Sequence, residues 1–249
     1  MSQSMTIGNS VQPLRNVAAL AQQIKKLDNR KHGLPGIGVF HSPPGYGKTY
    51  AAIFAASSPD LDAIHISVQD AWTRKTLIKQ VLKELGAVAR GTLADMAMDA
   101  NEQLASAGRP LLIDEADYVV DKGFLQTVRD LADGSHVPVI LIGMEELPQK
   151  IRKWGLVDGR TYNYTPAQPA NLKDARFLAS YYCPGIAVSD DLLEYIVSQN
   201  TGNARRISVD LAYVEEQANA WGSDSVSLKD WGNTPFLRGD APAPRHGLK

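Results

Sequence analysis

Eight residues, Ser42-Pro43-Pro44-Gly45-Tyr46-Gly47-Lys48-Thr49, have the composition of a loop that wraps an anion. They fit the spacing G-x-x-x-x-G-K-[ST] at every position but the first, where Ser42 stands in place of glycine. Glycines let backbone N–H groups turn inward onto phosphate oxygens, and the N-terminus of a following helix adds its dipole. Lys48 is placed to reach the β- and γ-phosphates of ATP, and the Thr49 hydroxyl to hold Mg²⁺. Pro44, Gly45, Tyr46 and Gly47 complete the expected loop contacts. A second group, Leu111-Leu112-Ile113-Asp114-Glu115, puts two carboxylates at the end of an apolar run. Parallel α/β sheets bind ligands beyond the carboxyl ends of their strands. Asp114 is therefore expected at the Mg²⁺ with Thr49, and Glu115 as the base that polarises an attacking water. The first motif has a plain reading as a Gly/Pro turn, which Gly-Lys-Thr between a strand and a helix strongly disfavours; the second, taken singly, reads equally as a strand cap beside a solvated acid. Their joint presence, each after an apolar strand, favours the nucleotide. The string Asp114–Asp117 (Asp-Glu-Ala-Asp) also occurs in a helicase family, but no other helicase motif is visible.

Two arginines and one basic stretch extend the candidate set. Thr201-Gly202-Asn203-Ala204-Arg205-Arg206 opens a helix near the C-terminus, and Arg205 one turn in is expected to contact the nucleotide. Arg160, just before the fifth expected strand, is expected to act as a finger in the site of a neighbouring subunit. Over residues 70–90, Arg74, Lys75, Lys79, Lys83 and Arg90 outnumber Asp70 and Glu84. The lysines recur every four residues and share one helical stripe. Such a stripe is either a solvated face or a track for DNA phosphates. Arg74, Lys75, Lys79 and Arg90 are the expected DNA contacts, without base reading. A second basic cluster joins Arg15, Lys25, Lys26, Arg30 and Lys31 against Asp28.

The elements that must position these residues follow from periodicity. Strands are expected at Gly36–His41, Leu61–Val68, Pro110–Ile113, Val137–Ile142 and Thr161–Tyr164. Between and before them, helices are expected at Val11–Asn29, Thr49–Ser57, Thr73–Leu85, Thr92–Ala105, Phe124–Ala132 and Glu145–Trp154. After Pro166 and Pro169 the pattern holds only helices, at Leu172–Tyr182, Asp190–Ser198 and Ala204–Ala220. The expected fold class is α/β: a P-loop NTPase parallel sheet of about five strands flanked by helices, with a C-terminal helical lid. The expected division is a flexible arm at 1–10, a nucleotide-binding core at 11–165, a lid at 166–231 and a disordered tail at 232–249. Trp72, Trp154, Trp221 and Trp231 are expected in the core or between domains, and His41 to pack the loop.

Composition narrows the class further. The 249 residues are 44% hydrophobic, enough for a substantial core, and their net charge is −1. Binding to nucleic acid through bulk charge is excluded, so any such contact must come from local patches. The single cysteine, Cys183, rules out a disulfide or a four-cysteine zinc site within the chain. The opening MSQSMTIGNS has no signal-peptide pattern, and no apolar run is long enough to span a membrane.

From Val11 to Trp231 the chain resembles the AAA+ ATPases. The resemblance is carried by SPPGYGKT, LLIDEAD, PVILIG and GNARR. It implies a five-stranded sheet, a three-helix lid, and homo-oligomers that hold nucleotide between subunits. Within that family, HISVQDAWTRKTLIKQVLKELGAV and ILIGMEELPQKI resemble the DNA-transposition ATPases of the phage Mu transposition protein B type. That likeness implies sequence-nonspecific binding of double-stranded DNA as a ring or helical filament, target selection and activation of a transposase. It also implies the cytoplasm of a bacterial or phage-infected cell. Two departures stand out. Gly143 and Met144 lie where the family usually places a polar residue, leaving Glu145 nearest. This predicts slow hydrolysis or a substitute residue. The roughly 35 residues before the first strand are too few for a separate DNA-binding domain. Two alternatives remain: a replication-initiator or helicase-loader ATPase, and an ATP-gated protein-interaction module without DNA.

Overall fold

The computed structural model describes residues 14–236. The expected arm at 1–10 and the expected tail beyond residue 236 lie outside the described residues. The chain divides into two compact units between Gln168 and Pro169.

The first unit is built on β1 (Ile37–His41), β2 (Ile64–Ser67), β3 (Leu111–Asp114), β4 (Val139–Gly143) and β5 (Thr161–Pro166). They form one sheet in the order β2-β3-β4-β1-β5, with every neighbouring pair parallel. Strands buried on both faces need continuous apolar runs, which VFH-, LLI- and VILI-type segments supply. Side chains alternate between the faces. Val39, Leu111, Ile113, Val139 and Leu141 meet α3 (Arg74–Glu84), α4 (Leu93–Ala107), α5 (Ala116–Asp121), α6 (Leu125–Ser135), α7 (Leu147–Arg152) and α8 (Gly155–Asp158). Phe40, Leu112, Ile140 and Ile142 meet α1 (Arg15–Asp28) and the alanine-rich α2 (Lys48–Ser57). The expected parallel sheet flanked by helices is thus present, five strands wide.

Two helical details differ from expectation. The helix expected over Glu145–Trp154 is two: α7, with Pro148 tolerated in its first turn, and α8, with Trp154 in a non-helical conformation between them. The six-residue α5 directly after Glu115 was not expected, because it is too short to show a period.

In the second unit α9 (Leu172–Tyr182), α10 (Asp190–Gln199) and α11 (Ala204–Trp221) match the expected trio. The unit is not helical throughout, however. Residues β6 (Ala187–Val188) pair in parallel with β7 (Ser225–Val226), and α12 (Leu228–Trp231) follows. Two-residue strands carry no readable alternation. Trp231 is a core residue at 1% exposure, ringed by Tyr213 and Phe236. Trp154 and Trp221 are not in a core: they are 37% and 46% exposed, and Trp72 is half-buried. Cys183 is buried, its thiol donates to the Leu211 carbonyl at 2.9 Å, and burial pushes it up to about 11. Among the described residues no helix is long and apolar enough to cross a membrane.

Truncating the sheet where it is buried on both faces should be costly. Leu112→Ala in β3 is expected to lower the unfolding free energy by about 2–5 kcal/mol, whereas Leu156→Ala, 70% exposed, should stay within about 0.5 kcal/mol. Urea denaturation of the two variants checks the contrast.

Candidate functional site

Because all five strands are parallel, their carboxyl ends lie along one edge of the sheet. Ser42 follows β1 there, Asp114 ends β3, and Gly143 ends β4. The Ser42 N–H donates to the Gly143 carbonyl at 3.4 Å, which anchors the start of the loop to β4. Pro43 and Pro44 have no N–H, so the loop's donors begin at Gly45. Gly45 and Gly47 adopt φ of +84° and +82°, a left-handed conformation that a side chain would strain. Gly47 is the N-cap of α2, and the first intrahelical bond is Ala51 N–H to the Gly47 carbonyl at 3.0 Å. The amides of Gly47, Lys48 and Thr49 therefore precede the helical ladder, at its positive end.

The serine that replaces glycine at the first loop position has a use of its own. Ser42 is 2% exposed, and its hydroxyl donates to the Pro43 carbonyl at 2.9 Å. The Lys48 amine donates to the Ser42 carbonyl (2.9 Å), the Ser42 hydroxyl oxygen (3.0 Å) and the Pro43 carbonyl (3.0 Å). The cation is held over the loop by the loop's own oxygens.

Asp114 is 3% exposed. Its Oδ1 accepts from the Glu115 N–H at 2.9 Å. Its Oδ2 makes no hydrogen bond among the described residues and faces His65 Nε2 at 3.7 Å, ion-pair rather than hydrogen-bond range. Burial pushes the Asp114 carboxyl up, but His65, the nearby Thr49 hydroxyl and the Glu115 N–H outweigh it and hold it below the usual carboxylate range. A buried anionic oxygen beside a threonine hydroxyl fits a hard cation such as Mg²⁺. Among the described residues no group of three or more His, Cys, Asp or Glu could hold a metal. A cation here would thus be shared by Thr49, Asp114 and the ligand's phosphates.

Glu115 is exposed and sits at φ +56°, left-handed and rare for a residue with a side chain. It turns the chain sharply from β3 into α5. His41, the last residue of β1, has its basicity lowered by burial, with Glu145 opposing and Lys48 adding to the effect.

The remaining sequence candidates lie on other elements. Arg160 lies at the opposite edge of the sheet, where its carbonyl accepts from Ile37 N–H at the start of β1 and its guanidinium pairs with Asp133 at 3.1 Å. Arg205 lies exposed in the first turn of α11, in the second unit, behind an N-cap in which Asn203 accepts from the Arg206 N–H. Lys75, Lys79, Lys83 and Arg90 are exposed on or just beyond α3. Arg74 is engaged at home: it donates to the Gly123 carbonyl at 2.9 Å and lies over the Phe124 ring.

Three residues were missed by sequence reasoning. His65 faces Asp114 from the neighbouring strand. Asn16 reaches the loop from α1. Asp117 fills the space at the end of β4: its carboxylate accepts from the Met144 N–H at 2.7 Å and pairs with Lys150 at 3.1 Å. A Cβ on Gly143 would collide with that carboxylate and with Leu147. The glycine at this strand end is thus matched to an acid from α5, and the only available signal was the Asp-Glu-Ala-Asp string.

With this geometry in hand, comparison with known proteins is informative. A family model described as AAA domain matches residues 31–151. Replication factor C subunit 1 of Schizosaccharomyces pombe is 25% identical over 193 residues, covering 74% of this chain and 20% of that protein. The fold is similar to that of the Aeropyrum pernix ORC1 protein, solved in complex with DNA, at a TM-score of 0.58 and 15% identity, covering 88% of this chain and 64% of that one. It is similar to Cdc6p from Pyrobaculum aerophilum at a TM-score of 0.58 and 16% identity, covering 90% and 66%. Drosophila ORC, solved bound to DNA, gives 0.53 and 14%, covering 92% and 67%. The chain therefore spans a fifth of the first relative and about two thirds of the solved chains. These relatives support an AAA+ ATPase. They do not support the finer likeness to transposition ATPases.

The Gly143–Asp117 match has a measurable signature. Gly143→Ala is expected to destabilise the chain by about 1–3 kcal/mol, and Asp117→Ala in the same chain to return part of that loss. Strictly additive effects in a double-mutant cycle by urea denaturation would show that the space is not filled by Asp117.

Proposed function

We propose that this chain is an AAA+ ATPase that binds ATP with Mg²⁺ and serves as a nucleotide-controlled switch on double-stranded DNA, of the replication-initiator or helicase-loader kind. The observation that carries the ATP reading is the meeting of Lys48, Thr49 and the buried Asp114 at one sheet edge. The loop amides from Gly45 to Thr49 bind phosphate oxygens, and Lys48 exchanges loop oxygens for the β- and γ-phosphates. Thr49 and Asp114 hold Mg²⁺, which neutralises charge developing on the phosphates. Glu115 accepts a proton from the attacking water. Arg205 in cis and Arg160 of a neighbouring copy contribute positive charge at the γ-phosphate. The initiator reading is supported by the sequence likeness to replication factor C subunit 1, which extends beyond the matched AAA domain. Transposition, by target selection and transposase activation, is the second reading, supported by the sequences after β2 and β4. Co-purification with a transposase or with a replicative helicase separates the two.

Lys48→Ala is expected to reduce ATP affinity by at least about a hundredfold with the fold intact, whereas Glu115→Gln keeps ATP affinity and loses turnover. Calorimetric ATP titration and phosphate release check both; unchanged ATP affinity in Lys48→Ala would remove the assignment of the loop.

For DNA, Lys75, Lys79 and Arg90, with Arg74 at the margin, are proposed to contact phosphates. Replacing Lys75 and Lys79 by alanine should lower the slope of log affinity against log salt by about 1 per residue, equally for all duplex sequences. Fluorescence anisotropy with a non-hydrolysable ATP analogue measures this. An unchanged slope makes α3 a solvated face.

A further inference from the structure

Asn16 is polar, 7% exposed, and lies in α1, outside every motif that marks the site. Its amide nitrogen donates to the Tyr46 carbonyl at 2.8 Å and to the Gln168 carbonyl at 2.8 Å. Its amide oxygen accepts from the Gln168 N–H at 2.8 Å. The orientation of the amide is fixed by these partners, two acceptors on one side and one donor on the other. One side chain thus joins the tip of the phosphate loop to the last residue of the first unit. The neighbouring bond acts in the same place: the Ala167 N–H donates to the carbonyl of His41, the residue just before the loop.

The consequence follows from peptide geometry. The peptide between Tyr46 and Gly47 is trans, so its N–H points opposite to its C=O. Glycines on both sides of Tyr46 leave that peptide with little steric resistance to turning over. Asn16 holds its carbonyl on the α1 side, and so holds the Gly47 N–H on the other. Gly47 is the N-cap of α2, and a helix N-terminus favours an anion.

We propose that Asn16 is the positioning residue of the phosphate loop: it locks the Tyr46–Gly47 peptide with its N–H toward the bound phosphate and ties that peptide to the backbone at Gln168. Phosphate binding at the loop and ordering of residues 166–168 are then a single equilibrium. The inference rests on the reading that this loop binds ATP. If Asn16 were merely structural, its loss would lower stability without touching ATP affinity well below the unfolding temperature.

The test uses ATP with Mg²⁺ as the probe, on wild type, Asn16→Ala and Asn16→Asp, the last keeping the acceptor for Gln168 and losing both donors. Calorimetric titration is expected to show about a tenfold loss of ATP affinity in each variant. Hydrogen exchange in wild type is expected to slow at residues 167 and 168 when ATP is added, and this response should vanish in both variants. The wild-type exchange measurement needs no variant to fold. Folded variants that bind ATP like wild type overturn the inference alone, as does wild type that binds ATP with no change in exchange at 167 and 168. Wild type that binds no ATP overturns the ATP reading and this inference together.

Discussion

The pairing of β1 with β4 on one side and β5 on the other is the constraint from which the rest follows. Parallel neighbours cannot be joined by tight turns, so each strand needs a crossover, and each crossover covers a sheet face with a helix. The same rule delivers every strand's carboxyl end to one edge. The loop after β1, the acids after β3 and the glycine ending β4 are far apart in sequence and adjacent in space for that reason alone. The register His41–Gly143 then sets where the loop begins.

On that edge the balance of charge is local. Lys48 donates to carbonyl and hydroxyl oxygens of its own loop, and Asp114 faces N–H and O–H groups and a distant imidazole. The two principal charges are thus each held by dipoles. A ligand that carries negative oxygens and a cation of its own would meet both charges on this one edge.

Much of this was legible in the sequence because the informative residues are close together. The loop, the strand that precedes it and the helix that follows occupy about twenty consecutive residues, and a buried parallel strand announces itself by apolar composition. The partners that tune the site were not legible. His65 meets Asp114 only because β2 lies beside β3, and Asn16 meets Gln168 across most of the chain. Asp117 was visible as a letter, but its meaning depended on the missing side chain at Gly143. The β6–β7 pair failed for a different reason: two residues per strand contain no period. Trp154 and Trp221 stand exposed at helix ends while Trp231, also at a helix end, is buried, so a large aromatic's burial is not legible from its place in an element.

The left-handed turn at Glu115 has a meaning for how such a chain drifts. A residue with a Cβ gives up about 1 kcal/mol in that conformation, and glycine or asparagine would recover most of it. Stability alone would replace this glutamate. A glutamate at this turn sets a carboxylate against a local gain in stability, a trade between robustness and chemistry. On the proposed role of this carboxylate, a lineage freed from turning over nucleotide would be expected to relax first at this position, and to become sturdier as it did so.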